Sequence, residues 1–253
     1  MKKIFFLMLS AATVAFTACE KGNDKNDTFK GPEVKVHDGK AWTWIQFDTN
    51  NKPARVAIAI TDKALNSVPI GDGTTHGHDM SNNFVLKFHP KADATPFKHA
   101  WLNWNPNGHP PANVYTKPHF DLHYYMVTSE ERETYVDSVK LAADPAAGYI
   151  PANHLGVDPL PQMGKHFVDL TSPELSGAPF TQTFIFGSYD KKTIFWEPMI
   201  TLEFLKNTTN FERPIPQPAK FQKSGYYPTK MRVVKEGGVT NVILEGFVER
   251  QAS

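Results

Sequence analysis

The chain has 253 residues, of which 40% are hydrophobic, 12% aromatic and 21% charged, with 20 Pro and 16 Gly. That composition is globular and rich in turns, and it excludes wholesale disorder, collagen and coiled coil. Lys and Arg (27) nearly balance Asp and Glu (26), so the net charge of +1 carries no basic footprint for a nucleic-acid partner.

Met1-Lys2-Lys3 is a short positive start, followed by an apolar run over residues 4–16 that only Ser10 and Thr13 interrupt. The run is too short to span a bilayer as a stable helix and reads as an export signal over residues 1–18. Its end, Phe16-Thr17-Ala18-Cys19, resembles a bacterial lipobox, with small residues just before a cysteine. Cleavage there would leave Cys19 as a lipidated N terminus. Cys19 is the only cysteine in the chain, so the mature protein has no disulfide and its fold rests on its core. An ordinary signal peptide with an incidental cysteine is the plainer alternative. Buried acyl chains, at about 0.8 kcal/mol per CH₂, would hold the protein on the bacterial cell envelope, on the periplasmic side or the cell surface. Residues 19–32 then read as the lipidated cysteine and a polar, flexible tether.

Residues 33–253 read as a single mainly-β domain, an antiparallel sandwich or barrel-like fold. Residues 41–47 (AWTWIQF) and 54–60 (ARVAIAI) form a hairpin around a polar turn. Thr61 or Asp62 caps one short helical turn. Strands follow at 83–89, 100–104 and 118–128. Thr128-Ser129-Glu130-Glu131 has the spacing of a capping box and opens one clear helix over residues 129–142. Residues 144–165 read as a long loop. Strands are expected at 181–186, 193–196 and 200–205, and a final hairpin around Glu236-Gly237-Gly238 joins 230–234 to 239–248.

The densest chemistry lies in Pro118-His119-Phe120-Asp121-Leu122-His123-Tyr124-Tyr125. On a strand, His119, Asp121 and His123 share one face, while Phe120, Leu122 and Tyr124 enter the core. His119 and His123 are then roughly 13 Å apart along the strand, so both reach one metal only if the strand bulges. His119 with Asp121, or Asp121 with His123, is the easier pair. An exposed polar sheet face accounts for the same pattern without function. Asn105-Pro106-Asn107-Gly108-His109-Pro110-Pro111 is a rigid turn that sets His109 before this strand. Met163-Gly164-Lys165-His166-Phe167-Val168-Asp169 adds His166 and Asp169. Glu197 sits among Phe195, Trp196 and Met199, where a buried carboxylate needs a partner; Pro198 also permits an edge position facing solvent.

These blocks, together with Phe184-Ile185-Phe186-Gly187-x-Tyr189-Asp190 ahead of Glu197-Pro198-Met199, resemble a little-characterised family of exported bacterial proteins. The resemblance covers roughly residues 39–206. It implies one polar site built from His109, His119, Asp121, His123, His166 and Glu197, and no particular reaction. A separate run, residues 73–79 (GTTHGHD), superficially resembles the metal-binding segment of cyclase-type amidohydrolases, with its first His absent and its spacing shifted. No nucleophile elbow, phosphate-binding Gly loop, dinucleotide fingerprint or His-Glu-x-x-His motif is present in the sequence.

Three functional readings follow. The first is a lipid-anchored domain binding a divalent metal, zinc favoured, through His119, His123, His166, Glu197 and His109, with Asp121 and Asp169 in support. The second is a metal-dependent hydrolase or lyase using the same site. The third is a metal-free envelope module whose aromatic strands hold a small-molecule ligand and whose histidines are dispersed.

Overall fold

Period-2 alternation builds two antiparallel sheets that face each other across one apolar core. In the computed structural model, the structure describes residues 27–71, 82–157 and 159–253. The export signal, Cys19 and the 73–79 run lie outside the described residues. The first sheet contains β1 (Thr28–Lys30), β2 (Val34–Val36), β3 (Gly39–Phe47), β4 (Pro53–Thr61), β12 (Asn210–Pro214), β14 (Lys230–Glu236) and β15 (Val239–Glu245). Its order is β1-β3-β4-β15-β14-β12, with β2 sharing the β3 edge. The second contains β5 (Asn83–Lys87), β6 (His99–Asn105), β7 (His119–Tyr125), β8 (His154–Gly156), β9 (Lys165–Asp169), β10 (Gln182–Tyr189) and β11 (Lys192–Thr201). Its order is β5-β6-β7-β11-β10-β9-β8. A small ribbon pairs β13 (Gly225–Tyr227) with β16 (Val248–Arg250).

The mainly-β architecture and the 41–60 hairpin are as the sequence pattern predicts. Several boundaries differ. Strand β1 lies inside the stretch read as tether, because Thr28–Lys30 pairs with Trp44–Gln46 of β3. The helix expected over 129–142 is two short helices, α2 (Ser129–Glu133) and α3 (Ser138–Ala142). The break has a local cause: Asp137 caps α3 by accepting from Val139 and Lys140, and the Tyr135 ring turns away to stack on Tyr189 at 3.8 Å. The strand expected at 200–205 is the end of β11 followed by α4 (Leu202–Asn207), where the Thr201 hydroxyl accepts from Phe204 N–H as an N-cap. A single turn, α1 (Asp62–Ser67), is capped by Thr61. No helix among the described residues is long and apolar enough to cross a membrane.

The core joins Ile45, Val56, Ile58 and Ile60 of the first sheet to Leu102, Phe120, Leu122, Phe186 and Trp196 of the second. Tyr124 spans the gap between sheets. Its hydroxyl donates to Val242 C=O at 2.7 Å and accepts from Ile58 N–H at 3.2 Å, and those two residues are paired across β4 and β15. The middle of the second sheet is buried on both faces: every residue of β6 and β7 is buried. Its outer face lies under two further apolar clusters. One is built around Trp101, Tyr125, Tyr135, Met163 and Phe195, the other around Tyr115, Phe180, Ile185 and Met199.

Tyr124→Phe keeps the ring and removes the hydroxyl that ties the two sheets together. It is expected to lower the unfolding free energy by about 1–3 kcal/mol, the cost of leaving buried backbone groups without their partner. Urea denaturation followed by circular dichroism measures this, and unchanged stability would contradict it.

Candidate metal centre

Alternation on β7 puts His119, Asp121, His123 and Tyr125 on the outer face of the second sheet. Across β6, Asn105 lies opposite His119, Asn103 opposite Asp121 and Trp101 opposite His123. Across β11, Met199 lies opposite Asp121 and Phe195 opposite Tyr125, a register that sets Glu197 against His123. Strand β9 brings His166 opposite Gly187 of β10. A side chain at Gly187 would collide with the Phe195 ring, and that ring packs 4.8 Å from His123 and 5.0 Å from His166. Gly187 thus gives the aromatic wall between the two histidines its room.

The site residues fall into two groups, each with ligand atoms within 4.8 Å of one another: His109, His119 and Asp121, and then His123, His166 and Glu197. His119 and His123 do not share a group. The β6–β7 register runs unshifted from Asn105–His119 to His99–Tyr125, so the bulge that would bring them together is absent there.

In the first group, His119 Nε2 stands 3.1 Å from Asp121 Oδ1, and His109 Nε2 stands 3.5 Å from Asp121 Oδ2. His119 Nδ1 faces the Lys117 carbonyl at 2.7 Å and His109 Nδ1 the Pro110 carbonyl at 2.7 Å. A carbonyl only accepts, so each Nδ1 carries the proton and donates it. Both Nε2 atoms are thereby turned toward the carboxylate. The turn before β7 holds His109 by a hydrogen bond from its N–H to Tyr115 C=O at 3.0 Å. Gly108 there adopts φ +68°, and a Cβ would strike the Tyr115 carbonyl. Asn105 donates to Asp121 Oδ2 at 2.7 Å. Burial alone would raise the Asp121 pKa, but the His119 and His109 charges outweigh it and hold the carboxyl well below its ordinary value. His109 moves the opposite way: burial opposes its charge, yet Asp121 raises its pKa overall.

In the second group, Glu197 Oε2 stands 3.4 Å from His123 Nε2 and 3.7 Å from His166 Nε2. Glu197 is only 1% exposed, and its Oε2 makes no hydrogen bond. Desolvation, with the nearby Asp121 charge adding to it, pushes its pKa well above the usual carboxylate range.

Asp169 belongs to neither group. It lies on the opposite face of β9 from His166, and its Oδ1 accepts from Thr171 N–H at 2.9 Å and from the Thr171 hydroxyl at 2.6 Å. Its job is to close a local turn. Asn105 and His99 join this face without having been singled out as site residues in the sequence; only the β6–β7 register reveals them. His99 stacks on Tyr125 at 4.8 Å and donates Nδ1–H to Val127 C=O at 2.8 Å. A groove of about 1070 Å³ lies elsewhere, lined by Tyr135, Tyr149, Tyr189, Phe221 and Tyr227 with several lysines, and none of the six clustered residues lines it.

Compared with protein-family models, with curated proteins and with solved structures, the chain matches none. Function therefore rests on the site's own chemistry.

The buried His99 makes a pH prediction. Desolvation lowers its pKa from 6.5 to about 4, with the Arg132 charge acting in the same direction. The folded state thus binds fewer protons than the unfolded one, and stability is lost as pH falls from 6.5 through 4. His99→Phe retains a stacked ring that cannot be protonated. Relative to the parent, this variant should gain about 3 kcal/mol between pH 7 and pH 4, read from urea denaturation at both values. A difference that does not change with pH would contradict it.

Proposed function

We propose that the protein is a lipid-anchored cell-envelope protein whose folded domain binds a divalent metal through imidazole and carboxylate ligands. The observation that carries this reading is Glu197, a buried carboxylate whose Oε2 faces two imidazole nitrogens and accepts no hydrogen bond. Left ionised and unpaired it costs several kcal/mol. A cation between the carboxylate and the two imidazoles offsets that cost and uses both nitrogens as ligands. Nitrogen and oxygen donors without thiol suit zinc, with copper or nickel as the next choices. Membrane attachment through Cys19 rests on the lipobox-like end of the export signal.

The clustering of the histidines argues against the metal-free module, which needed them dispersed. The aromatic groove keeps a small-molecule ligand open as a separate activity. Each group supplies three protein ligands, the number that leaves a tetrahedral metal one open position. That count favours a metal-dependent hydrolase or lyase as the second reading. Burial of five of the six residues, with His109 partly buried, beneath an aromatic cover favours binding without turnover.

Zinc at 100 times its dissociation constant adds about 2.7 kcal/mol to stability. For a domain of this size that is a rise in melting temperature of about 5–10 °C. Metal-stripped protein should show that rise on adding zinc, and Glu197→Gln should reduce it. A parent whose melting temperature does not respond to zinc, copper or nickel overturns the reading. For location, Cys19→Ala should move the protein from the membrane fraction to the soluble fraction, and unchanged membrane retention would defeat the anchor.

A further inference from the structure

We infer that the six residues hold two cations side by side, one on His109, His119 and Asp121 and the other on His123, His166 and Glu197, an extension that rests on the metal-binding reading above. Three features of the site lead there. The first is reach. A tetrahedral metal about 2.0–2.2 Å from nitrogen and oxygen ligands holds its donors about 3.3–3.6 Å apart. The carboxylate–imidazole pairs already stand 3.1–3.7 Å apart and all donors within each group lie at 4.8 Å or less, so side-chain adjustment of about 1 Å at the widest pair closes either group on an ion. His119 and His123 are four residues apart on an unbulged strand, roughly 13 Å along its axis. One ion does not serve both.

The second feature is the repeated ligand set. Each group has one carboxylate and two imidazoles, and each carboxylate faces the Nε2 atoms of its own pair. Each carboxylate also turns a buried oxygen toward imidazole Nε2, Oδ1 of Asp121 toward His119 and Oε2 of Glu197 toward His123 and His166. The groups adjoin, since Asp121 and His123 are two residues apart on one face of β7 and Glu197 lies across from His123.

The third is preparation of the ligands. His109 and His119 donate Nδ1–H to the Pro110 and Lys117 carbonyls, which leaves Nε2, once its proton is displaced, as the metal-binding atom on the carboxylate side. A backbone carbonyl that fixes the tautomer in this way is the usual support behind a metal-bound imidazole. The first group is therefore built as a ligand set, beyond its role as an ion pair.

The test is a count. The full-length chain, purified in detergent and stripped of metal, is dialysed against zinc alone, and zinc per chain is measured by elemental analysis. Two ions are expected in the parent, one in His119→Ala, one in His166→Ala and none in the double variant. Asp121→Asn and Glu197→Gln, which preserve side-chain volume, should each also bind one. One ion in the parent overturns the pair and leaves the single-metal reading standing. No ion in the parent overturns both. The parent count decides between these outcomes even if a histidine variant fails to fold.

Discussion

Two carboxylates buried on the outer face of one sheet, Asp121 and Glu197, are the constraint on which the rest of the structure depends. Ionised groups that far from water are destabilising by several kcal/mol unless something positive faces them. The protein surrounds them with four imidazoles and places an Asn amide on Asp121. Asp121 is answered by the charges of His109 and His119, and stays ionised. Glu197 is not answered to the same degree, and its proton is held. This contrast between two acids within one strip is what the proposed metal would balance.

The fold supplies this strip with walls and a floor. The floor is the second sheet, held to the first by the apolar core and by the Tyr124 hydroxyl that reaches across to β4 and β15. The walls are aromatic. Phe195, Tyr125 and Trp101 pack around His123, and Phe180 and Tyr115 pack around His119 and His109. Rings at these positions exclude water and lower the local dielectric, which strengthens every charge interaction inside. The same burial is why His99, on the next strand, is kept neutral.

Much of this was legible in the sequence because the signals were local. Alternation in residues 118–125 named both the core face and the polar face of β7, and Glu197 stood out as an acid inside an apolar strand. What was not legible depended on pairing across strands. The His119–His123 spacing left open whether a bulge brought them together, and the unshifted β6–β7 register answers that they separate. Asn105 and His99 entered the site only through that same register. Closeness in sequence pairs Asp169 with His166, yet odd spacing on a strand sends the two to opposite faces. The expected helix over 129–142 breaks at the Asp137 cap within the segment and at Tyr135, whose stacking on Tyr189 of the β10–β11 hairpin lies outside it.

In the proposed site, imidazole and carboxylate from this strip bind the metal directly. X-ray absorption at the zinc edge of the loaded, full-length protein tests it most directly. A first shell of nitrogen and oxygen at about 2.0–2.1 Å is expected, with the outer-shell scattering of about two imidazole rings per zinc. A shell of water oxygens without imidazole scattering would contradict it.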